Sequence, residues 1–167
     1  MTLATTNAAA SHCLFVTLTV PSRMHAMRMK LDGQQPNPVY DGSTPRDAQA
    51  QLRKTWACIR ASFKRYGAEC WGMRVTEPQH DGTPHWHALM WVEAAHMQLA
   101  DAMRVCKVSS TSCGVCVMAV TNESLGYIGK YLAKCAEPDD ARVRVWASAW
   151  GFRLSGRFGI WPAGGAA

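Results

Sequence analysis

The sequence predicts an α+β fold, an antiparallel sheet with helices packed on it, and three features carry that prediction. Short β-branched apolar runs such as Leu14 to Val20, closed by Pro21, read as strands. Between Pro45 and Gly67, the residues Leu52, Trp56, Ile59 and Phe63 fall four, three and four apart, the spacing of one buried helical face. An Asp81-Gly82 pair between two apolar runs reads as a hairpin. The resulting order is strand, helix, two strands, helix, strand, helix, with long returns that favour antiparallel pairing.

The first strand, Leu14 to Val20, alternates Thr17 and Thr19 with apolar residues. From Met24 to Ser43 the chain reads as irregular, because Asp32-Gly33, Pro36, Pro38 and Asp41-Gly42 are turn signals. Thr44-Pro45-Arg46-Asp47 is a helix start, with Thr44 as N-cap, Pro45 in the first helical position and Asp47 reaching back as in a capping box. Cys70 to Glu77 and His85 to Val92 read as the two strands of the hairpin. A helix is expected over Ala94 to Cys106, a short strand over Val115 to Val120, and a helix through Leu125 to Ala136, capped by Asn122 and stopped by Pro138. The tail is expected to hold a helical turn around Ala147 to Trp150 and an edge strand within Phe152 to Phe158.

At 167 residues, with 48% hydrophobic and 18% charged, the chain suits one folded domain over 1–167 and is unlike a disordered segment. It has no apolar run of the roughly 18 to 20 residues that a membrane span requires, and Met1 to Ser11 lacks a basic start and a hydrophobic core. A cytoplasmic protein without a membrane partner is therefore expected, acting as a monomer. Seven cysteines are scattered through apolar segments, which suits reduced thiols. Cys113 and Cys116 form a lone C-x-x-C near Cys106 that lacks the second pair of a closed zinc site.

A net charge of +6 and a pI near 9.1 suggest a polyanionic partner. Arg53, Lys54, Arg60, Lys64, Arg65 and Arg74 crowd one stretch, and Arg142, Arg144, Arg153 and Arg157 follow Asp140 with no acidic residue among them. A solvated basic helix face accounts for the first cluster equally well.

Chemistry gathers at two places. His85-Trp86-His87 lies in a predicted strand, where alternate side chains share a face, so the two imidazoles point one way and the indole the other. Two imidazoles with the Glu77 carboxylate of the partner strand and open positions suit Mg²⁺ or Mn²⁺ better than a closed zinc site. A strict two-residue turn at Asp81-Gly82 would set Glu77 opposite Trp86 and on the wrong face, so the arrangement requires an odd-length loop or a bulge. His80 and Asp81 are alternative ligands, though turn residues are the preferred account of them. The second place is Tyr127, Lys130, Tyr131 and Lys134, which share one helical stripe. A phenol with a pKa near 10 attacks a phosphodiester when a cation polarises the phosphate, and the lysines could steady the phosphate or phenolate.

Together these residues resemble the HUH endonuclease superfamily, and within it the bacteriophage replication gene A protein family of rolling-circle initiators. The shared motifs are Phe15-Val-Thr-Leu-Thr19 with Pro21-Ser-Arg23, then Arg74-Val-Thr-Glu77-Pro with Asp81-Gly-Thr-Pro-His85-Trp-His87, then Tyr127-Ile-Gly-Lys130-Tyr131. Trp146-Ala-Ser-Ala-Trp-Gly-Phe-Arg153 extends the likeness, which covers about residues 13 to 160. The resemblance implies an RRM-like, ferredoxin-like palm and a divalent metal held by His85, His87 and Glu77. It implies nicking of single-stranded DNA by Tyr127 or Tyr131 with a 5′-phosphotyrosine product, and DNA contacts from Lys130, Lys134, Arg74 and Arg153. Origin DNA of a phage or mobile element in a bacterial host cell is the implied substrate. Whether the origin forms a hairpin, and whether a host helicase is a second partner, stays open. Gln79 stands where relatives are expected to carry histidine, at no proposed ligand position, and the run after Arg153 departs from a glutamine-rich pattern.

Two other classes compete. An RRM-like module binding single strands without catalysis would stack bases on Trp86 and Trp91 and hold phosphates by its basic flanks. A two-tyrosine transposase or relaxase would share the metal and tyrosine chemistry.

Overall fold

Thr44 opens the long helix as the sequence predicts. Its hydroxyl accepts from the Asp47 backbone N–H at 3.3 Å while the Asp47 carboxylate accepts from the Thr44 N–H at 2.8 Å, so the capping box is complete and helix α1 runs over Pro45–Arg65. Gly67, at a φ of 68°, closes it: Gly67 N–H donates to Lys64 O and Ala68 N–H to Phe63 O, the two bonds of a Schellman ending. The computed structural model describes residues 11–98, 113–120, 129 and 141–159.

Strand β1 is Ser11–Thr19, and β4 (Cys70–Pro78) and β5 (Pro84–Glu93) form the expected hairpin. With β6 (Gly114–Ala119) and β7 (Ser155–Phe158) they make a five-stranded sheet in the order β6-β1-β5-β4-β7, antiparallel at every described pairing. A further helix among the described residues, labelled α2, is Ala141–Trp150. The fold is therefore α+β.

The pleat divides the sheet into two faces. Leu14, Val16 and Leu18 of β1 and Trp86, Ala88, Met90 and Val92 of β5 point to the face that α1 covers with Ala48, Leu52, Trp56 and Phe63. Complete burial of a side chain such as Leu52 stabilises the fold by roughly 2 kcal/mol. Trp86, 1% exposed, donates its indole N–H to Gln49 Oε1 of α1 at 2.9 Å. The other face carries Phe15, Val75 and Leu89 with Cys13, Met73 and Trp91 against them.

Two expectations are corrected. The stretch from Met24 to Ser43 is not irregular throughout: Ser22–Met24 is a 3-10 turn, and β2 (Met27–Lys30) and β3 (Gly33–Pro36) form a separate two-stranded ribbon. Its strands are short and mostly exposed, so no buried alternation marks them in the sequence. The tail helix begins at Ala141, well before Ala147. The chain after His96 continues helically to residue 98, and the rest of the helix expected to Cys106, like that expected over Leu125 to Ala136, lies outside the described residues apart from Gly129. Among the described residues no helix is long and apolar enough to cross a membrane.

Candidate active site

The turn between β4 and β5 sets the geometry. Gln79 N–H donates to Thr83 O and Gly82 N–H to Gln79 O, leaving a three-residue loop of His80, Asp81 and Gly82 in which Gly82 takes a φ of 79°. The odd length shifts the register by one residue from a strict two-residue turn, and Glu77 stands directly across from His85. Asp81 braces the loop: its carboxylate accepts from Thr83 N–H at 3.0 Å and lies 3.2 Å from His25 Nδ1. Burial opposes its ionisation, but the Thr83 hydrogen bonds and His25 hold its pKa below the usual value. That is turn chemistry, as preferred for Asp81; His80, beside it in the loop, is exposed.

His85 and His87 share the face opposite α1. Their ε nitrogens converge to 2.6 Å, with ring centroids 4.3 Å apart, and Glu77 Oε2 lies 3.7 Å from His87 Nε2. Each δ nitrogen has a hydroxyl from β1, Thr17 Oγ1 at 3.1 Å for His87 and Thr19 Oγ1 at 3.2 Å for His85. Thr17 pairs with His87 in the β1–β5 ladder, and the same register brings Thr19 to His85. The Gln79 side-chain amide lies 2.9 Å from His85 Nδ1. With Nδ1 protonated and donating to its hydroxyl, each ring leaves Nε2 as a lone pair aimed at the same point. Phe15 stacks on His87 with centroids 5.2 Å apart.

Electrostatics favour that neutral form. Burial, and the neighbouring His85 after it, push the His87 pKa down to about 4 against the pull of Glu77. Burial also lowers that of His85, with Glu77 opposing and His25 reinforcing. Two neutral imidazoles and a carboxylate are a donor set that fits a divalent cation. Two nitrogens at about 2.1 Å from one ion, at a right angle, would stand about 3 Å apart, slightly wider than the observed 2.6 Å. Among the described residues no three His, Cys, Asp or Glu side chains are gathered closely enough to enclose an ion. The fit is therefore to an open half-site of two nitrogens with a carboxylate at its rim.

Helix α2 walls a cleft of about 770 Å³ beside these residues, lined by Glu77, Gln79 and His85 on one side and Arg142, Val143 and Trp146 on the other. Trp146 donates its indole N–H to Gly82 O at 2.9 Å and packs edge-on against Phe152, which ties α2 to the hairpin turn. Thr17, Thr19, Arg142 and Trp146 are site residues that the sequence analysis did not single out. The alternating threonines of β1 place Thr17 and Thr19 on one face, and the motif shared with the resembled family contains Trp146, but neither signal by itself assigns a residue to the site.

Other expectations fare differently. Arg74 is not on the histidine face: it is three residues from Glu77, so the pleat turns it towards α1, where its guanidinium lies 3.8 Å from the Trp86 ring centre and donates to Thr76 Oγ1 at 3.1 Å. Burial, with Arg53 nearby, lowers its pKa to about 10. Trp86, buried beneath it, presents no face on which a base could stack. Gln79, at no proposed ligand position, lies against His85. Arg153 is exposed between α2 and β7. Cys113 is buried on the α1 side, while Cys116 is exposed and pairs with Thr17, so the C-x-x-C thiols do not converge. Tyr127, Lys130, Tyr131 and Lys134 lie outside the described residues.

The sequence profile of the family described as bacteriophage replication gene A protein matches residues 2–138. The chain is similar to the "Replication protein" of Haemophilus phage HP1, 34% identical over 174 residues covering 86% of this chain and 21% of that protein. It is similar to the "Replication gene A protein" of Escherichia phage 186, 31% identical over 174 residues covering 83% of this chain and 24% of that protein. A "Probable replication endonuclease from prophage-like region" of Salmonella paratyphi A is 40% identical over 79 residues, 47% of this chain and 10% of that protein. The chain thus spans about a fifth of the length of the first two of these relatives. No solved structure matches it.

Proposed function

The chain belongs to the bacteriophage replication gene A protein family, and from that premise we propose that it is a replication endonuclease of the HUH type. In this proposal it nicks single-stranded origin DNA by tyrosine transesterification to initiate rolling-circle replication. The observation that carries the proposal is the convergence of His85 Nε2 and His87 Nε2 to 2.6 Å beside Glu77, in a cleft walled by Arg142. A packing role does not account for two imidazole ε nitrogens aimed at one point, each ring with a threonine hydroxyl at its δ nitrogen.

Mg²⁺ or Mn²⁺ would be held by His85, His87 and Glu77 and, when bound, would supply Lewis-acid polarisation of the scissile phosphate. Thr17, Thr19 and Gln79 surround the rings and hold their orientations, and Arg142 lines the cleft in which a phosphate would lie. Tyr127 or Tyr131 attacks phosphorus: the Tyr Oη–P bond forms, the P–O3′ bond breaks, the phenolic proton is lost and the leaving 3′-oxygen gains one. Lys130 or Lys134 steadies the phenolate. One phosphodiester is exchanged for another, so joining by reversal consumes no high-energy cofactor. The second tyrosine, one turn away in the helix that the sequence predicts, then attacks a second strand while the first is still esterified.

The competing binding module loses one of its two expected stacking residues, Trp86, which is buried, while Trp91 is half-buried on the face opposite α1. The test is incubation with a labelled pool of single-stranded oligonucleotides and Mn²⁺ or Mg²⁺, followed by denaturing electrophoresis. A metal-dependent protein–DNA adduct that disappears in the Tyr127→Phe, Tyr131→Phe double variant is expected. Binding across the pool with no adduct, or an adduct that survives the double change, would overturn the proposal.

A further inference from the structure

Helix α1 carries Arg53, Lys54, Arg60, Lys64 and Arg65 on its exposed surface. Among the described residues none of the five is in an ion pair. Lys64 and Arg65 lie in the last turn, where the helix dipole favours cations, but Arg53, Lys54 and Arg60 are mid-helix and gain nothing from it. Arg60 and Lys64 are also a like-charged i, i+4 pair, which weakens a helix. An unneutralised stripe of this kind needs an account beyond the stability of α1.

The stripe has a direction. Arg53, Arg60 and Lys64 are seven and four residues apart, so they lie within about 40° of one another around the helix and span about 16 Å along it. Gln49 of α1 is level with Trp86, while the chain just after Phe63 returns to Ala68 and Cys70, so α1 runs beside β4 from its Glu77 end to its Cys70 end. The cations face the β4–β7 edge. Arg60 and Lys64 line a groove of about 470 Å³ with Glu69, Cys70 and Gly159, Trp56 meets Phe158 edge-on at 4.9 Å, and the Arg53 charge acts on Arg74. Phe158 points to the α1 face, so Arg157, the next residue on the edge strand, points to the histidine face; it pairs with Met73, four residues along β4 from Glu77. Cations therefore follow one another from the cleft, along the β7 edge, to the groove about 24 Å from Glu77.

We propose that the groove between α1 and the β7 edge is a phosphate track for the single strand that leaves the reaction face, with Arg53, Arg60 and Lys64 as its contacts. This rests on the DNA-nicking function proposed above. A single strand fits better than a duplex, because the path bends round a sheet edge and its contacts are a line of point charges rather than a groove-reading element. Contacts to phosphates make the expected binding sequence-independent and salt-sensitive, and Glu69, the acidic residue in the groove, weakens it.

The test measures affinity for a labelled oligothymidine, long enough to pass from the cleft to the groove, across a series of salt concentrations. Three proteins are compared: the unaltered chain, the Arg53→Gln, Arg60→Gln, Lys64→Gln variant, and a charge-retaining Arg53→Lys, Arg60→Lys variant. Loss of three phosphate contacts should make the slope of log affinity against log salt shallower by about 2, and the charge-retaining variant should keep the original slope. A triple variant with unchanged slope and affinity, in a chain that itself binds with steep salt dependence, overturns the track and leaves the endonuclease proposal standing. Failure of the unaltered chain to bind the strand at any salt concentration overturns both.

Discussion

Replacing Thr17 by Val removes one hydroxyl from beneath His87 and keeps the β-branched shape that the strand requires. The Thr17 Oγ1 to His87 Nδ1 contact, at 3.1 Å, provides an acceptor for Nδ1–H in the tautomer that leaves Nε2 as a lone pair. A neutral hydrogen bond contributes about 1 kcal/mol net. Loss of a hydrogen bond to a metal-binding histidine costs about 10- to 100-fold in metal affinity, and the partial exposure of this site puts the expectation at the lower end, about tenfold or 1.4 kcal/mol. Thr19→Val should cost about tenfold as well, because the group left at His85 Nδ1 is the Gln79 amide nitrogen at 2.9 Å, an N–H donor that cannot accept the Nδ1 proton. The assay is Mn²⁺ titration by calorimetry, with circular dichroism to show that each variant is folded. Unchanged affinity in folded Thr17→Val, when His85→Ala abolishes binding, would refute the orienting role; unchanged affinity in His85→Ala would refute the metal site.

Acid should act on the same residues. The His87 pKa is about 4 rather than the ordinary 6.5, so Mn²⁺ affinity should hold as pH falls through 6.5 and decline as it approaches 4, followed by titration in non-coordinating buffers. In the metal-free protein the unfolded chain takes up the His87 proton first, so stability should be highest above pH 6.5, fall between 6.5 and about 4, and level off below, measured by urea unfolding. Gly82→Ala forces a side chain into a φ of 79° and should destabilise the fold by about 1 to 3 kcal/mol, with a matching loss of metal affinity. Trp146→Phe removes the indole N–H to Gly82 O bond and should cost about 1 kcal/mol. Thr44→Ala, far from the cleft, should lower stability by about 1 kcal/mol through the lost cap and leave metal affinity unchanged.

Much of this arrangement is legible in the residues, and what is not has physical causes. The capping box, the apolar stripe of α1 and the Asp81-Gly82 turn are local signals, and each predicted its element. The shared face of His85 and His87 follows from the two-residue period of a strand, and the same period could have separated Arg74 from Glu77 had it been applied to β4. Thr17 and Thr19 are different in kind: they reach the histidines through the β1–β5 register, which joins segments about 70 residues apart and has no local signature. The β2–β3 ribbon escaped because its strands bury no continuous face. Helix α2 was foreshortened because its first turn carries no acidic residue and its apolar periodicity is weak.

The parity of one turn decides whether these groups meet. With a three-residue loop, Glu77 faces His85, and the row Thr19, His85, Glu77 crosses three strands on the open face. One residue fewer or more would turn Glu77 towards α1, into the layer occupied by Trp86 and Thr76, and an ionised carboxylate there would lack the solvent it has at the cleft. Selection for the carboxylate is therefore also selection for the loop. Gly82 supplies the positive φ, Asp81 is hydrogen-bonded to Thr83 and braced by His25, and Trp146 of α2 clamps the Gly82 carbonyl. The residues that fix the chemistry thus include several that donate no ligand, and the Asp81-Gly-Thr-Pro segment preceding His85 is as much a part of the site as the histidines.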